Sequence, residues 1–192
     1  MNAADVVSLY TELQKLNIHI WIDGGWGVDA LLGEQTRPHE DLDIAILELD
    51  IPHLRSLLQA KGYKEIKTED ARPWNFVLGD ESGRQIDVHI IVLDHEGNGI
   101  YGPPENGERY PSASLSGRGV IAGHPVSCIS AEWAVKFHSG YELKEKDFAD
   151  VSALCKRFGL ELPEEYAQLR RSTYNTPTRL NGTPKRNDTT AQ

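Results

Sequence analysis

A chain of 192 residues with a formal net charge of −9, 39% hydrophobic and 26% charged residues suits one well-filled globular domain, or one with a small helical appendage, and is too short for two large ones. The negative charge argues against nonspecific nucleic-acid binding, which depends on Lys and Arg neutralising phosphates, and favours a cationic small molecule. No uncharged apolar run approaches the ~20 residues that span a bilayer, the first residues carry no signal-type apolar segment, and Cys128 and Cys155 lack metal-type spacing, so the expectation is a cytoplasmic protein with reduced, buried thiols and no membrane partner.

Taken in chain order, Val6, Leu9, Tyr10, Leu13 and Leu16 recur at helical spacing and predict a helix over residues 4–16. A strand over 18–22 follows, ending at the turn Asp23-Gly24-Gly25; residues 26–32 suit a short helix closed by Gly33. Leu42, Ile44, Ala45 and Ile46 mark a strand that carries Asp41 and Asp43. Residues 52–61 suit a helix with Leu54, Leu57 and Leu58 on one face and Gly62 as its stop. Strands are predicted at 63–67, 74–78 and 85–93, with hairpin-turn chemistry at 80–84. Residues 94–119, rich in Gly, Pro and Asn, read as a long loop excursion, and 120–128 as a small ribbon turning at Gly123-His124. Helices are predicted over 131–142, 144–158 and 164–171, and the polar segment from about Thr173 reads as a flexible tail. The order predicts an α/β (α+β) architecture: a mixed sheet with flanking helices over 1–95, a loop region and helical lobe over 96–172, and a tail over 173–192. A ligand cleft between the first two is the default expectation.

Residues i and i+2 of a strand share a face, so Asp41 and Asp43 project together and repel unless a cation lies between them. Mg²⁺ is the usual answer where phosphates complete the ligand set. Gly24-Gly25, after a strand and before a helix, is either a plain chain reversal or a phosphate cradle; the aspartates downstream favour the cradle. Asp87 sits inside the apolar strand QIDVHIIVL and needs a partner. It completes a carboxylate trio if that strand lies beside the Asp41/Asp43 strand, and otherwise forms a salt bridge to Arg37, Arg84 or Lys136. His89 shares its face, as a donor behind the carboxylates or a packed core histidine. Arg37 and Lys136 can reach a phosphate or lie at the surface. His138 and Tyr141 can line an acceptor pocket or simply pack, Trp26, Trp74 and Tyr101 can stack on a ligand or fill the core, and Glu142 to Asp147 read mainly as a solvated charge run.

GGWGVDALLG, TRPHEDLDIAI, IDVHI and the stretch from CIS to FHSGYELKEKDFADV resemble the small antibiotic nucleotidyltransferases of the DNA polymerase beta-like superfamily. The lincosamide nucleotidyltransferases are most similar, and the aminoglycoside 2″-nucleotidyltransferases next, through GVIAGHPVSC. The likeness spans residues from about 18 to 155. It implies a polymerase beta-like nucleotidyltransferase fold and ATP or another NTP as co-substrate with Mg²⁺. It also implies Asp41 and Asp43 as metal ligands, Asp87 as third ligand or general base, and Gly24 and Gly25 at the triphosphate. Superfamily members commonly place serine after the first glycine; with Gly25 here, that phosphate contact must come from backbone or elsewhere. A sugar hydroxyl is a poor nucleophile, so base and metal help are expected, with two Mg²⁺ ions and Asp87 as general base. Arg37 and Lys136 complete the expected nucleotide set, and His89, Tyr101, His138 and Tyr141 the acceptor set. The implied reaction transfers AMP from the nucleotide to a lincosamide hydroxyl and releases pyrophosphate. The same transfer to an aminoglycoside, whose several amino groups demand more carboxylates, is the closest alternative, and an antitoxin-like enzyme acting on a protein partner is another. A small sheet domain with a helical lobe leaves surface that a homodimer would cover.

Overall fold

Alternation along the second strand sets the architecture. In the computed structural model, which describes residues 1–69 and 71–168, that strand is β2 (Asp41–Leu47), following β1 (Ile20–Ile22). Leu42, Ile44 and Ile46 are essentially inaccessible to solvent, whereas Asp41 and Asp43 alternate with them. β3 (Lys64–Ile66), β4 (Asn75–Gly79) and β5 (Gln85–Leu93) extend the sheet on one side, and the hairpin β8 (Gly117–Ile121) and β9 (His124–Cys128) on the other, in the order β3-β4-β5-β2-β1-β9-β8. β2 runs parallel to β5, and β1 parallel to β9; the other neighbours are antiparallel, so the sheet is mixed.

The apolar rows of β1, β2, β4 and β5 join one cluster with Val6, Leu9, Tyr10 and Leu13 of α1 (Ala3–Lys15) and Leu54 and Leu58 of α3 (Ile51–Ala60). α1 starts where Asn2 and Asp5 cap each other's backbone N–H groups. α2 (Gly24–Leu32) packs against β2 and β8 and meets α4 (Ala131–Phe137) and α5 (Glu145–Phe158). Gly119 of β8 makes the close approach possible, since a Cβ there would strike the backbone of Ala30.

Several predicted boundaries shift. The second helix begins at Gly24 rather than Trp26, because Asp23 caps it through a 2.8 Å bond from the Gly24 N–H, so Gly24 and Gly25 form its first turn. The excursion over 94–119 contains β6 (Gly99–Tyr101), paired with β5, and β7 (Arg109–Tyr110), paired with β6. The sheet therefore continues well past residue 95. The ribbon starts at Gly117 and turns at Ala122-Gly123, both with positive φ (48° and 79°). The helix expected over 131–142 stops at Phe137. Met1–Glu161 form one compact unit, and a second begins at Leu162. Within the latter, residues 164–168 are helical; the predicted continuation to 171 and the tail from 173 lie outside the described residues. Among the described residues no helix is long and apolar enough to cross a membrane.

Candidate active site

The parallel register of β2 and β5 places Asp43 opposite Asp87 and Ala45 opposite His89. One ligand atom from each of Asp43, Asp87 and His89 lies within 4.8 Å of the others. Burial, then the charges of Asp41, Asp23 and Asp87, push the Asp43 carboxyl up to about 7, against the opposing charge of His89. Asp87 Oδ1 is buried without a hydrogen-bond partner, and His89 Nε2 stands 3.7 Å from it, beyond hydrogen-bond range. A carboxylate forced toward neutrality beside an unsatisfied carboxylate oxygen is the chemistry a divalent cation relieves, so this donor set fits a metal ion. Asp41, one turn of the alternation earlier, is exposed at the edge of the cluster.

A fourth carboxylate belongs to the same pocket. Asp23 is 8% exposed, its backbone N–H bonds the Asp43 carbonyl at 2.9 Å, and its Oδ2 accepts from the Tyr110 hydroxyl at 3.1 Å. The Tyr110 hydroxyl also lies 2.7 Å from His89 Nδ1. Burial, followed by the charge of Asp23, holds the Tyr110 phenol well above its ordinary value, so it keeps its proton. Burial by itself would lower the His89 pKa, but Asp87, Asp23 and Asp43 outweigh it and raise it. Gly24 has φ +53°, and a Cβ on it would collide with the Asp43 carboxylate. Glycine is thus what lets the start of α2 approach the acidic cluster.

Two pockets meet at Gly24, Asp43 and His138. The smaller, about 470 Å³, also takes in Gly25, Arg37, His39, Asp41 and Lys146. Arg37 is fixed there: Nη2 bonds Asp150 Oδ2 of α5 at 2.7 Å, and Nη1 donates to His39 Nδ1 at 3.0 Å. Because a guanidinium only donates, His39 carries its proton on Nε2, which pairs with the buried Asp29. The Asp29 pKa is lowered: burial opposes, but the bonds from His39 and Thr36 prevail. A Cβ on Gly25 would run into His39 and Arg37.

The larger cleft, about 610 Å³, is floored by Asp23, Asp43 and His89 and walled by Tyr101, Tyr110, Phe137 and Tyr141. Tyr101 packs tilted on His89 with centroids 5.5 Å apart. Lys136 lines this cleft and not the smaller pocket; its ammonium pairs with Glu132 at 2.7 Å and lies 4.3 Å over the Trp133 ring. His138 borders both pockets, its Nδ1 2.7 Å from the Ala134 carbonyl. The structure therefore brings Gly24, Gly25, Arg37, Asp41 and Asp43 together on one side and His89, Tyr101, Lys136 and Tyr141 on the other. Trp26 is a core residue, 1% exposed, and Trp74 packs beside Gly102. Asp23, Tyr110 and Lys146 line these pockets although sequence reasoning passed them over, and Glu108, one of the loop carboxylates that suit amino groups on a drug, lines the larger. For Asp23 the available signal was its N-cap position after a strand; for Lys146 the surrounding charge run concealed it.

The family described as Aminoglycoside-2''-adenylyltransferase matches residues 5–154. The lincosamide resistance protein of Staphylococcus haemolyticus is 33% identical over 145 residues, covering 73% of this chain and 86% of that relative. The 2''-aminoglycoside nucleotidyltransferase of Escherichia coli is 28% identical over 167 residues, covering 82% and 88%. Among solved structures, the lincosamide antibiotic adenylyltransferase LnuA with lincomycin bound superposes with a TM-score of 0.68 at 30% identity, over 79% of this chain and 94% of that one. With Asp23 and the carboxylates of β2 and β5 gathered at the start of α2, these similarities show that the chain belongs to the aminoglycoside-2''-adenylyltransferase family and is a nucleotidyltransferase of the polymerase beta-like fold.

Proposed function

We propose that the protein transfers AMP from MgATP to a hydroxyl group of a lincosamide and releases pyrophosphate. The observation that carries the acceptor class is the charge of the larger cleft. Among the described residues that line it, Glu108 is the one carboxylate apart from Asp23 and Asp43, set against Arg109 and Lys136, and four aromatic rings form the wall. An acceptor with several ammonium groups, such as an aminoglycoside, would find one carboxylate there beyond the two of the acidic cluster, with Arg109 and the Glu132-paired Lys136 beside it. A less charged sugar with apolar surface suits it better. The LnuA neighbour and the 33% identical lincosamide resistance relative point the same way. The excursion over 94–119 supplies Tyr101, Glu108, Arg109 and Tyr110 to this wall, which supports a small-molecule acceptor over a protein partner.

The smaller pocket is the nucleotide side in this reading. Arg37, held by Asp150, and Lys146 draw the triphosphate toward the first turn of α2, where Gly25 brings backbone close to phosphate. Asp41, Asp43 and Asp87 would hold Mg²⁺, in a two-ion arrangement. When bound, the metal lowers the pKa of the attacking hydroxyl and offsets charge on the departing pyrophosphate. Asp87 serves as the general base in this reading, which the lack of a hydrogen-bond partner on its Oδ1 supports. Alignment of hydroxyl and α-phosphorus across Asp43, which borders both pockets, supplies the positional part of the rate.

The test is incubation with Mg²⁺, each NTP in turn, and a panel of lincosamides and aminoglycosides, read by mass spectrometry for a nucleotidyl adduct and by pyrophosphate release. The expected outcome is an adenylylated lincosamide. Adducts on aminoglycosides alone would overturn the acceptor assignment, and no adduct on any drug would sink the antibiotic-modifying reading altogether.

A further inference from the structure

Tyr110 arrives at the active face by an indirect route. β7, two residues long, pairs with β6, which pairs with the far end of β5 beyond His89. The chain thereby returns from its excursion and lays the Tyr110 ring between Tyr101 and Phe137, edge to face with both, at centroid distances of 5.9 and 5.2 Å. The residue is 7% exposed, so its hydroxyl has a fixed direction.

Hydrogen-bond bookkeeping then determines the order of donors. The Asp23 carboxylate accepts at both oxygens: Oδ1 from the Gly24 N–H at 2.8 Å and Oδ2 from the Tyr110 hydroxyl at 3.1 Å. The hydroxyl has one hydrogen, and Asp23 takes it. Its oxygen is left to accept, so the 2.7 Å contact with His89 Nδ1 is a bond from Nδ1–H to the Tyr110 oxygen. Nδ1 carries a proton whether the imidazole is neutral or charged, and Nε2 is the edge turned toward Asp87 and the cleft. An unbroken series of bonds thus runs from the backbone of α2 through Asp23 and Tyr110 to the imidazole. The bond made by one ring nitrogen sets what the other presents.

We infer that Tyr110 is a positioning residue for nucleotidyl transfer: its hydroxyl, bridging Asp23 and His89, locks the imidazole with Nε2 facing Asp87 and the acceptor side of the cleft, giving the reactive hydroxyl a preset edge beside the carboxylates. The inference rests on the transfer reading above for its consequence, but its geometry can be read apart from any acceptor. Tyr110→Phe removes the bridging oxygen and keeps the ring between Tyr101 and Phe137. Loss of alignment at this level costs up to about 100-fold, so kcat should fall about 10- to 100-fold while KM for MgATP stays within about twofold. The second readout is nitrogen NMR of histidine-labelled protein without nucleotide or drug, with the His89 signals assigned by His89→Gln. With the imidazole neutral, the wild type should show His89 protonated at Nδ1 alone, and Tyr110→Phe should lose that fixed state and mix tautomers. A wild-type His89 protonated only at Nε2 would overturn the inference without recourse to any variant, as would a Tyr110→Phe enzyme of undiminished kcat. Because the tautomer is measured with the cleft empty, failure of the acceptor assignment and failure of the Tyr110 role are separate results.

Discussion

Asp43 concentrates the electrostatics of the site in one side chain. Its carboxyl is raised from an ordinary value of 3.8 to about 7 by burial and by Asp41, Asp23 and Asp87. Between those two values the folded protein holds a proton that the unfolded chain has released, so this group's contribution to stability is present below the unfolded pKa and is lost as pH rises through about 7. Thermal unfolding in EDTA should therefore show the midpoint falling between about pH 4 and about pH 7 and levelling off above that. Asp43→Asn should flatten that slope, and Mg²⁺ should restore the midpoint at the alkaline end because the ion binds the charged form. A slope unchanged in Asp43→Asn would place the effect elsewhere. That Asp41 and Asp43 share a face was legible because a period of two fixes it, whereas Asp87 meets Asp43 only through the register of β2 with β5, and Asp41 stays exposed at the edge. Asp23 and Tyr110 were not legible, since their convergence depends on β1 pairing with β2 and on β7 reaching β5 through β6, and pairing between distant segments leaves no local periodic mark.

At the scale of elements, the segment leading into β2 and the helix α5 act on one another through Arg37 and Asp150. The guanidinium is partly exposed at 26% while its carboxylate partner is at 3%, so the helix supplies the fixed half of the pair. Asp150→Asn keeps the shape and removes the charge; the expectation is a KM for the nucleotide raised on the order of tenfold with KM for the drug little changed. Steady-state kinetics against each substrate checks this, and an unaltered nucleotide KM would show that Arg37 needs no partner on α5. Element types were mostly readable from apolar spacing, and boundaries less so. The expected helix over 131–142 ends at Phe137 because His138 leaves helical geometry (φ −81°, ψ 51°) and Gly140 takes φ +83°. Local apolar and charged composition beyond Phe137 masks that stop.

For the molecule as a whole, the two pockets touch only through Gly24, Asp43 and His138 among the described residues. Substitutions deep in either pocket should then separate kinetically. Arg37→Ala should raise KM for the nucleotide and leave KM for the drug within about twofold, whereas Tyr101→Ala should do the reverse. Parallel changes in both constants for either variant would mean that the pockets are coupled as well as adjacent. The mixed sheet with flanking helices was readable in the order of predicted strands and helices. Its path was not: placing β9 beside β1 puts the hairpin on the opposite flank from β4 and β5, a long-range pairing that goes with the packing of α2 on β8.

The space above Gly25 has a consequence for how such a sequence can drift. His39 and Arg37 occupy the volume that any side chain at position 25 would enter, and both are tied onward to Asp29 and Asp150. A serine at position 25 would therefore have to push the ends of Arg37 and His39 aside, and with them their ties to Asp150 and Asp29, so a substitution at this one glycine would be felt on α5 as well as on α2.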